Sequence, residues 1–339
     1  MTTRKELLPG VFLTSIQDGR FKTACFSLSF LRPLRQEEAG MNALLPSVLL
    51  RGSEKTPSIR AIADRLDELH GASIGALVRK KGEIQLTGLF ADCLEDQYAG
   101  EAVFSHLLDF VSELLFCPRT EHGAFVPELV SQECRNLQNA MQSVLDDKGA
   151  YCERQMAMCR GERYACGRLG EPEELDKIDV RTLWAHDKSV LASSRVELFY
   201  LGSKSVGEAE ALLQPLLAHL PRTACVPVGT NPGPQPQALR RFSEVMPLAQ
   251  SRISLGFRTF VDRSAVTFRE LTDEEIVDAI TRAQGADILR ADSGKVYIGL
   301  VGYDDDYVLY TNDPAYAKQA PQEFEEIAAG HIQIRFAEE

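Results

Sequence analysis

The chain has 339 residues, 44% of them hydrophobic and 25% charged, with a net charge of -12 and a pI near 5.1. That composition is ordinary for a globular protein and long enough for two domains. The acidic balance argues against nonspecific binding to nucleic acid or to anionic membrane, both of which need a basic face. No run approaches the ~18 consecutive apolar residues of a membrane-spanning helix, and Met1–Glu6 lacks the apolar core of a signal peptide. The eight cysteines form no Cys-x-x-Cys pair, which in a chain this long points to free thiols and a reducing, cytoplasmic location.

Val11–Ile16 and Thr23–Leu31 are predicted strands flanking the turn Asp18-Gly19-Arg20. Cys25, Ser27 and Ser29 alternate with Phe26, Leu28 and Phe30, the two-residue period of a half-buried strand. Arg32-Pro33 ends it, and a helix follows from near Glu37 to a glycine cap at Gly52. Its apolar body is Met41, Leu44, Leu45, Val48, Leu49 and Leu50, and Pro46 lies in its interior, where it removes a hydrogen bond and favours a kink. Ser58–His70 carries the apolar stripe Ile59, Ile62, Ala63, Leu66 and Leu69, with Gly71 as its stop. Ala72–Val78 and Gly82–Phe90 read as paired strands.

Helices are predicted over Ala102–Leu115, Phe125–Leu145, Ala150–Cys159, Val180–Leu191 and Val206–Leu220, with a strand over Val196–Leu201. Strands and helices without regular βαβ alternation indicate an α+β fold. Pro221–Pro236 is rich in proline and glycine and reads as a semi-rigid linker. The expected organisation is a domain at 1–220, a linker at 221–240 and a second domain at 241–339. In the last part, Asp273–Gln284 and Gln322–Ala329 read as helices, with Thr272 and Glu275 as a capping box. Lys295–Gly302 and Tyr307–Asn312 read as a hairpin across Asp304-Asp305-Asp306, and Ile332–Phe336 as a final strand.

The motif that carries chemical information is Gly40-Met-Asn-Ala43-Leu-Leu-Pro46-Ser47-Val-Leu-Leu-Arg-Gly52-Ser53. It resembles the active-site helix of the M16 (insulinase, pitrilysin-type) metallopeptidases, Gly-x-x-His-x-x-Glu-His-x-x-x-x-Gly-Thr. In that family the two His bind zinc and the Glu activates the zinc-bound water. The three positions fall here on Ala43, Pro46 and Ser47. Ala43 has no ligand atom, Pro46 no carboxylate, and Ser47 only a hydroxyl, a poor zinc ligand at neutral pH. The family's third ligand is a Glu on a later helix. Glu128 and Glu133 lie in that region, and without the His pair both read as ordinary surface carboxylates.

The resemblance extends through Leu66–Ala76, where the family has a strand bordering its cleft, and ends near Thr259, after Gln250–Thr259, which is similar to a strand opening the family's second half. It therefore implies an M16-like (LuxS/MPP-like) fold, one full half followed by a shortened or divergent second half. Asp147-Lys148-x-x-Tyr151-Cys152 and Tyr164-x-x-Gly167-x-x-Gly170-x-x-Glu173-x-Leu175 resemble a non-catalytic bacterial subgroup, paired with a zinc-bearing relative and associated with modification of elongation factor P. The resemblance thus implies a catalytically inactive partner subunit, or a half-chamber that binds a peptide or protein, with no cofactor and no metal. The alternative is a zinc-dependent endopeptidase whose site is displaced or completed by a partner.

Other candidates weigh less. The six His (His70, His106, His122, His186, His219, His331) include no pair three to five residues apart, so a relocated site would have to draw on distant His. Cys152, Cys159 and Cys166 recur every seven residues, as a metal or redox cluster or as three small residues on one helix face; rises of two turns leave their sulfurs ~10 Å apart, which favours the second. Asp304-Asp305-Asp306 reads as a solvated turn, since calcium loops alternate ligands with spacers. No phosphate loop of the form Gly-x-x-x-x-Gly-Lys-Ser/Thr is present, and Gly167-x-x-Gly170 is too short a signal for any ligand.

Overall fold

The computed structural model describes residues 2–159, 161, 163–229, 242–244, 254, 299–303, 306–311 and 332–336. The chain divides into two compact units, one of Met1–Asp146 with Arg163–Pro232, the other of Asp147–Glu162 with Gly233–Glu339.

The first unit holds strands β1 (Thr2–Leu8), β2 (Val11–Gln17), β3 (Thr23–Pro33), β4 (Ser73–Lys81) and β5 (Ile84–Leu94), and helices α1 (Gln36–Leu49), α2 (Ile59–Glu68), α3 (Asp96–Ala99) and α4 (Val103–Phe116). The two-residue strands β6 (Thr120–Glu121) and β7 (Ala124–Phe125) pair around a turn before helix α5 (Pro127–Asp146). Helix α6 (Lys148–Cys159) lies in the second unit; α7 (Pro172–Leu175), α8 (Val180–Ser193), β8 (Arg195–Gly202) and α9 (Val206–Ala218) complete the first.

Six strands form one sheet in the order β1-β2-β8-β3-β5-β4, antiparallel except where β2 meets β8. The turn at Asp18-Gly19-Arg20 is therefore no hairpin: β8 enters between β2 and β3, pairing Leu198 with Leu13 on one side and Leu28 on the other. Strand alternation gives the sheet one buried face, from Leu13, Phe26, Leu28, Leu89, Ala91, Leu198 and Tyr200. Against it lie Phe104, Leu107 and Val111 of α4, Leu44 and Val48 of α1, and Leu213 and Leu217 of α9. Phe104 meets Phe26 edge-on at 6.2 Å and Tyr200 at 5.0 Å between ring centroids. Burying each such side chain contributes about 1.5–3 kcal/mol, which makes this seam the energetic centre of the unit.

Several boundaries differ from the sequence reading. β1 is an addition to it: its polar residues make an exposed edge strand, held by Arg4 pairing with Glu197 at 2.8 Å. Helix α1 ends at Leu49 with Leu50 as its cap, and Gly52 instead makes the following bend at φ +146°, where an added Cβ would lie 2.8 Å from the backbone of Pro57. Helix α6 ends at Cys159, so Cys166 is not on it and the seven-residue cysteine recurrence does not follow one helix.

In the second unit, β9 (Gly299–Tyr303) and β10 (Asp306–Thr311) form the expected hairpin, and β11 (Ile332–Phe336) joins β10 in parallel. The predicted helices at Asp273–Gln284 and Gln322–Ala329, the Asp304-Asp305 turn, and Gln250–Thr259 apart from Ser254 lie outside the described residues.

Candidate functional site

Helix α1 begins in solvent and runs into the core. Glu37 and Glu38 stand in its first turn, where carboxylates complement the helix dipole. Glu38 receives Arg32 Nε at 2.9 Å. Further along, Ala39, Gly40, Asn42, Ala43, Leu44, Leu45, Pro46, Val48 and Leu49 are all buried.

Pro46 has no N–H to give the carbonyl of Asn42, four residues earlier. Thr87 of β5 supplies the missing donor, its hydroxyl lying 2.5 Å from Asn42 O. A proline in a buried helix is thereby accommodated, since the carbonyl it orphans is satisfied from the sheet.

The Asn42 side chain is itself the centre of a buried polar network. Its Nδ2 donates to Gln85 Oε1 at 2.8 Å, and its Oδ1 accepts from His186 Nε2 at 2.8 Å. Gln85 Nε2 in turn donates to Ala39 O at 3.0 Å and Arg168 O at 2.8 Å. Burial, with the nearby Arg32 cation, pushes His186 down to about 4, so near neutral pH it is an uncharged donor to Asn42. The next residue, Asp187, is pushed by burial up to about 6. Asn42, Gln85, Thr87 and His186 fix the depth and rotation of α1, and no pattern in the sequence announces them.

Beside α1, at the β4 edge of the sheet, lies a cavity of about 280 Å³. Ala43 and Ser47, one turn apart on α1, form one wall; Glu133, Asn136, Leu137 and Ala140 of α5 form the opposite one; Ala76 and Val78 of β4 and Arg168-Leu169 complete it. The two positions where the motif has His and a glutamate on a later helix thus share one cavity. Pro46 is not among its lining residues.

Glu133 departs from the sequence reading. It is not a surface carboxylate but 6% exposed, and it accepts from Arg51 and, at 3.2 Å, from Asn136 Nδ2. Its charge is paired within the protein. Glu128 is exposed, as expected of a helix-surface acid. Among the described residues, no three His, Cys, Asp or Glu side chains gather into a metal-binding group.

The segment after α6 closes one end of this cavity. Arg168 donates to Val78 O at 3.1 Å, and Lys80 Nζ reaches Tyr164 O and Cys166 O. Gly170, at φ +86°, packs so closely on α1 that a Cβ there would lie 2.6 Å from the nitrogen of Gly40. Gly167-x-x-Gly170 is thus a packing device, which lets the chain cross the start of α1.

A mixed sheet with helices on one face, an edge strand, and a cleft between the motif helix and a later helix is the layout of an M16-type peptidase domain. Comparison with known proteins agrees. Over 250 residues the chain is 26% identical to the "Probable inactive metalloprotease YmfF" of Bacillus subtilis (strain 168), a match covering 73% of this chain and 58% of that protein. The crystal structure of a conserved protein from Enterococcus faecalis V583 matches with a TM-score of 0.68 and 26% identity, over 74% of this chain and 59% of that one. A peptidase M16 inactive domain from Pseudomonas fluorescens (TM-score 0.54, 15% identity) covers 69% of this chain and 54% of its own. The periplasmic protease PqqL from Escherichia coli (TM-score 0.54, 12% identity) covers 67% and 25%. At such identities the last two establish the fold alone. No protein-family model matches the sequence. The M16 likeness read from the motif is borne out, and the chain spans 58% of the length of the curated relative.

Proposed function

We propose that this chain is a non-catalytic M16-type unit that binds an extended peptide or protein segment, while a zinc-bearing homologue supplies the hydrolytic chemistry. One observation carries the reading: Ala43, Ser47 and Glu133 share a single cavity, yet the first two have no ligand suited to zinc and the third is committed to Arg51. A hydrolytic zinc site needs about three ligands and a base for its water. The cavity brings these three residues together without the donors such a site needs.

The neighbouring edge supports a binding role. β4 is the last strand of its sheet, and among the described residues no strand pairs with its outer side. Such an edge offers backbone donors and acceptors to an added strand. The finer reading, a cytoplasmic heterodimer linked to modification of elongation factor P, rests on the sequence strings at Asp147–Cys152 and Tyr164–Leu175. Eight free thiols fit a reducing compartment.

The test is co-expression with an M16 homologue that retains His-x-x-Glu-His, followed by size exclusion, zinc determination and a peptide-cleavage assay. The expected result is a complex, no stoichiometric zinc on this chain alone, and cleavage only with the partner. Chelator-sensitive cleavage by this chain alone, abolished by mutating one of its own His or Glu, would instead establish a displaced site.

A further inference from the structure

We infer that residues 222–226 form a releasable strap: they cap the end of α8 from outside the helix, and the chain opens there in one step while its sheet stays folded. The last carbonyls of a helix find no partner within it. Four successive carbonyls at the end of α8 are met by this segment. Leu191 O accepts from Arg222 Nη1 at 3.4 Å. Ala192 O accepts from the Thr223 amide at 2.9 Å and from its hydroxyl at 3.2 Å. Ser193 O accepts from the Val226 amide at 2.8 Å, and Ser194 O from the Cys225 thiol at 3.8 Å.

The last turn of α8 holds no basic residue of its own. Arg222 brings the cation that complements the negative end of the helix dipole. Its guanidinium also ties the segment together, since Nη2 donates to Cys225 Sγ at 2.9 Å and to Pro9 O at 3.5 Å. Cys225 is seated against Gly10, where an added Cβ would lie 2.3 Å from its sulfur. Pro221 and Pro227 bracket the segment and fix the backbone at both ends, which limits the entropy gained when it lifts.

What holds the strap is polar and shallow. Leu220 is buried with Leu216 and Leu217 of α9. Beyond it Pro221, Thr223 and Ala224 are exposed, and Arg222, Cys225 and Val226 are half-buried. A segment with few buried apolar contacts and exposed backbone hydrogen bonds opens at a free energy well below that of global unfolding. Arg222 Nε, buried and without a hydrogen-bond partner among the described residues, weakens the fastening further. By contrast β8, which follows α8, lies inside the sheet between β2 and β3. Thr223 and Val226 bond adjacent carbonyls of one helix end, so the strap lifts as a piece, and the helix that carries His186 loses its outside cap. The strap is independent of the binding role proposed above.

Native-state amide hydrogen exchange on the full chain is the test. The Thr223 and Val226 amides should show one common protection factor, insensitive to low urea and smaller than that of the β8 amides. Arg222→Ala should lower the protection of both by about tenfold to a hundredfold, the loss of a charged hydrogen-bonding group. It should also loosen the Ser194 amide, which bonds Val190 O, and leave β8 unchanged. Arg222→Lys keeps the cation without the planar fork and should restore part of the protection. Thr223→Pro removes the amide bonded to Ala192 O and should release Val226 in the same way. Should Arg222→Ala lose the β8 protection as well, Thr223→Pro is read in its place. Strap amides that exchange only together with β8, that differ from each other by more than about tenfold, or a Val226 amide unchanged in both variants would overturn the inference.

Discussion

The hydroxyl of Thr87 lies 2.5 Å from the backbone oxygen of Asn42, the carbonyl left without a helical partner by Pro46. The residue that displaces the motif's catalytic glutamate is therefore matched by a donor on the sheet beneath it. Leaving a buried carbonyl unpaired costs about 1–3 kcal/mol. Thr87→Val should destabilise the chain by about that amount. The loss should be clearly smaller in a Pro46→Ala background, where the restored backbone N–H can bond Asn42 O again. A double-mutant cycle from urea unfolding measures the difference; simple additivity would show that the two residues are not coupled.

Convergence of Ala43, Ser47 and Glu133 on one cavity makes a second expectation. His at both α1 positions would stand four residues apart on one face, within reach of Glu133. The double substitution Ala43→His with Ser47→His should bind one zinc per chain. Adding Arg51→Met, which releases Glu133 from its ion pair, should tighten it. Cobalt substitution gives a visible spectrum and isothermal titration the stoichiometry. Absence of metal from both variants would show that the three positions do not meet as ligands.

His186 and Asp187 oppose each other in acid. His186 stands at about 4 in the folded chain against an ordinary 6.5, so as pH falls below ~6.5 the unfolded chain takes the proton first and stability is lost down to about pH 4. Asp187 stands at about 6 against 3.8, so the folded chain takes that proton first and stability is gained over pH 6 to 3.8. Each effect is worth about 3 kcal/mol, and together they nearly cancel. His186→Gln should become more stable from pH 6.5 to 4.5, and Asp187→Asn less stable. Urea midpoints against pH decide it, and two variants sloping the same way would refute the assignment. The surrounding charges are Arg32 and Glu38 for His186, and Lys188 for Asp187.

Gly170 tests the packing of the crossing segment on α1. Gly170→Ala combines a positive φ, at roughly 1–2 kcal/mol, with a clash on Gly40 that the helix backbone cannot relieve. A loss of about 2–4 kcal/mol is expected in chemical denaturation. Gly207→Ala has open space at the first turn of α9 and should change stability by less than about 1 kcal/mol.

Local signals carried much of this into the sequence. The period of Phe26, Leu28 and Phe30 gave β3, the apolar stripe of Ile62 and Leu66 gave α2, and Gly-x-x-Ala43-x-x-Pro46-Ser47 gave the family of folds. What stayed hidden was nonlocal. The entry of β8 between β2 and β3 depends on strands far apart in the chain, which pairing rules cannot rank from composition. Glu133 read as a surface acid because Arg51, which offsets the cost of its burial, lies on a different element. Asn42 and Gln85 are polar residues inside apolar stretches, and only their mutual hydrogen bond explains why both are buried. Gly170 needed Gly40 opposite it before its spacing meant anything.

The walls of the cavity also set how it empties. A peptidase clears its cleft by cutting what it holds, and the fragments leave because each keeps only part of the contact. On the proposed reading, the Ala43 methyl and the Ser47 hydroxyl offer no such exit. Under the role proposed above, a segment lodged there would depart as it arrived, so its residence would be governed by its dissociation rate, and its occupancy by concentration and competition.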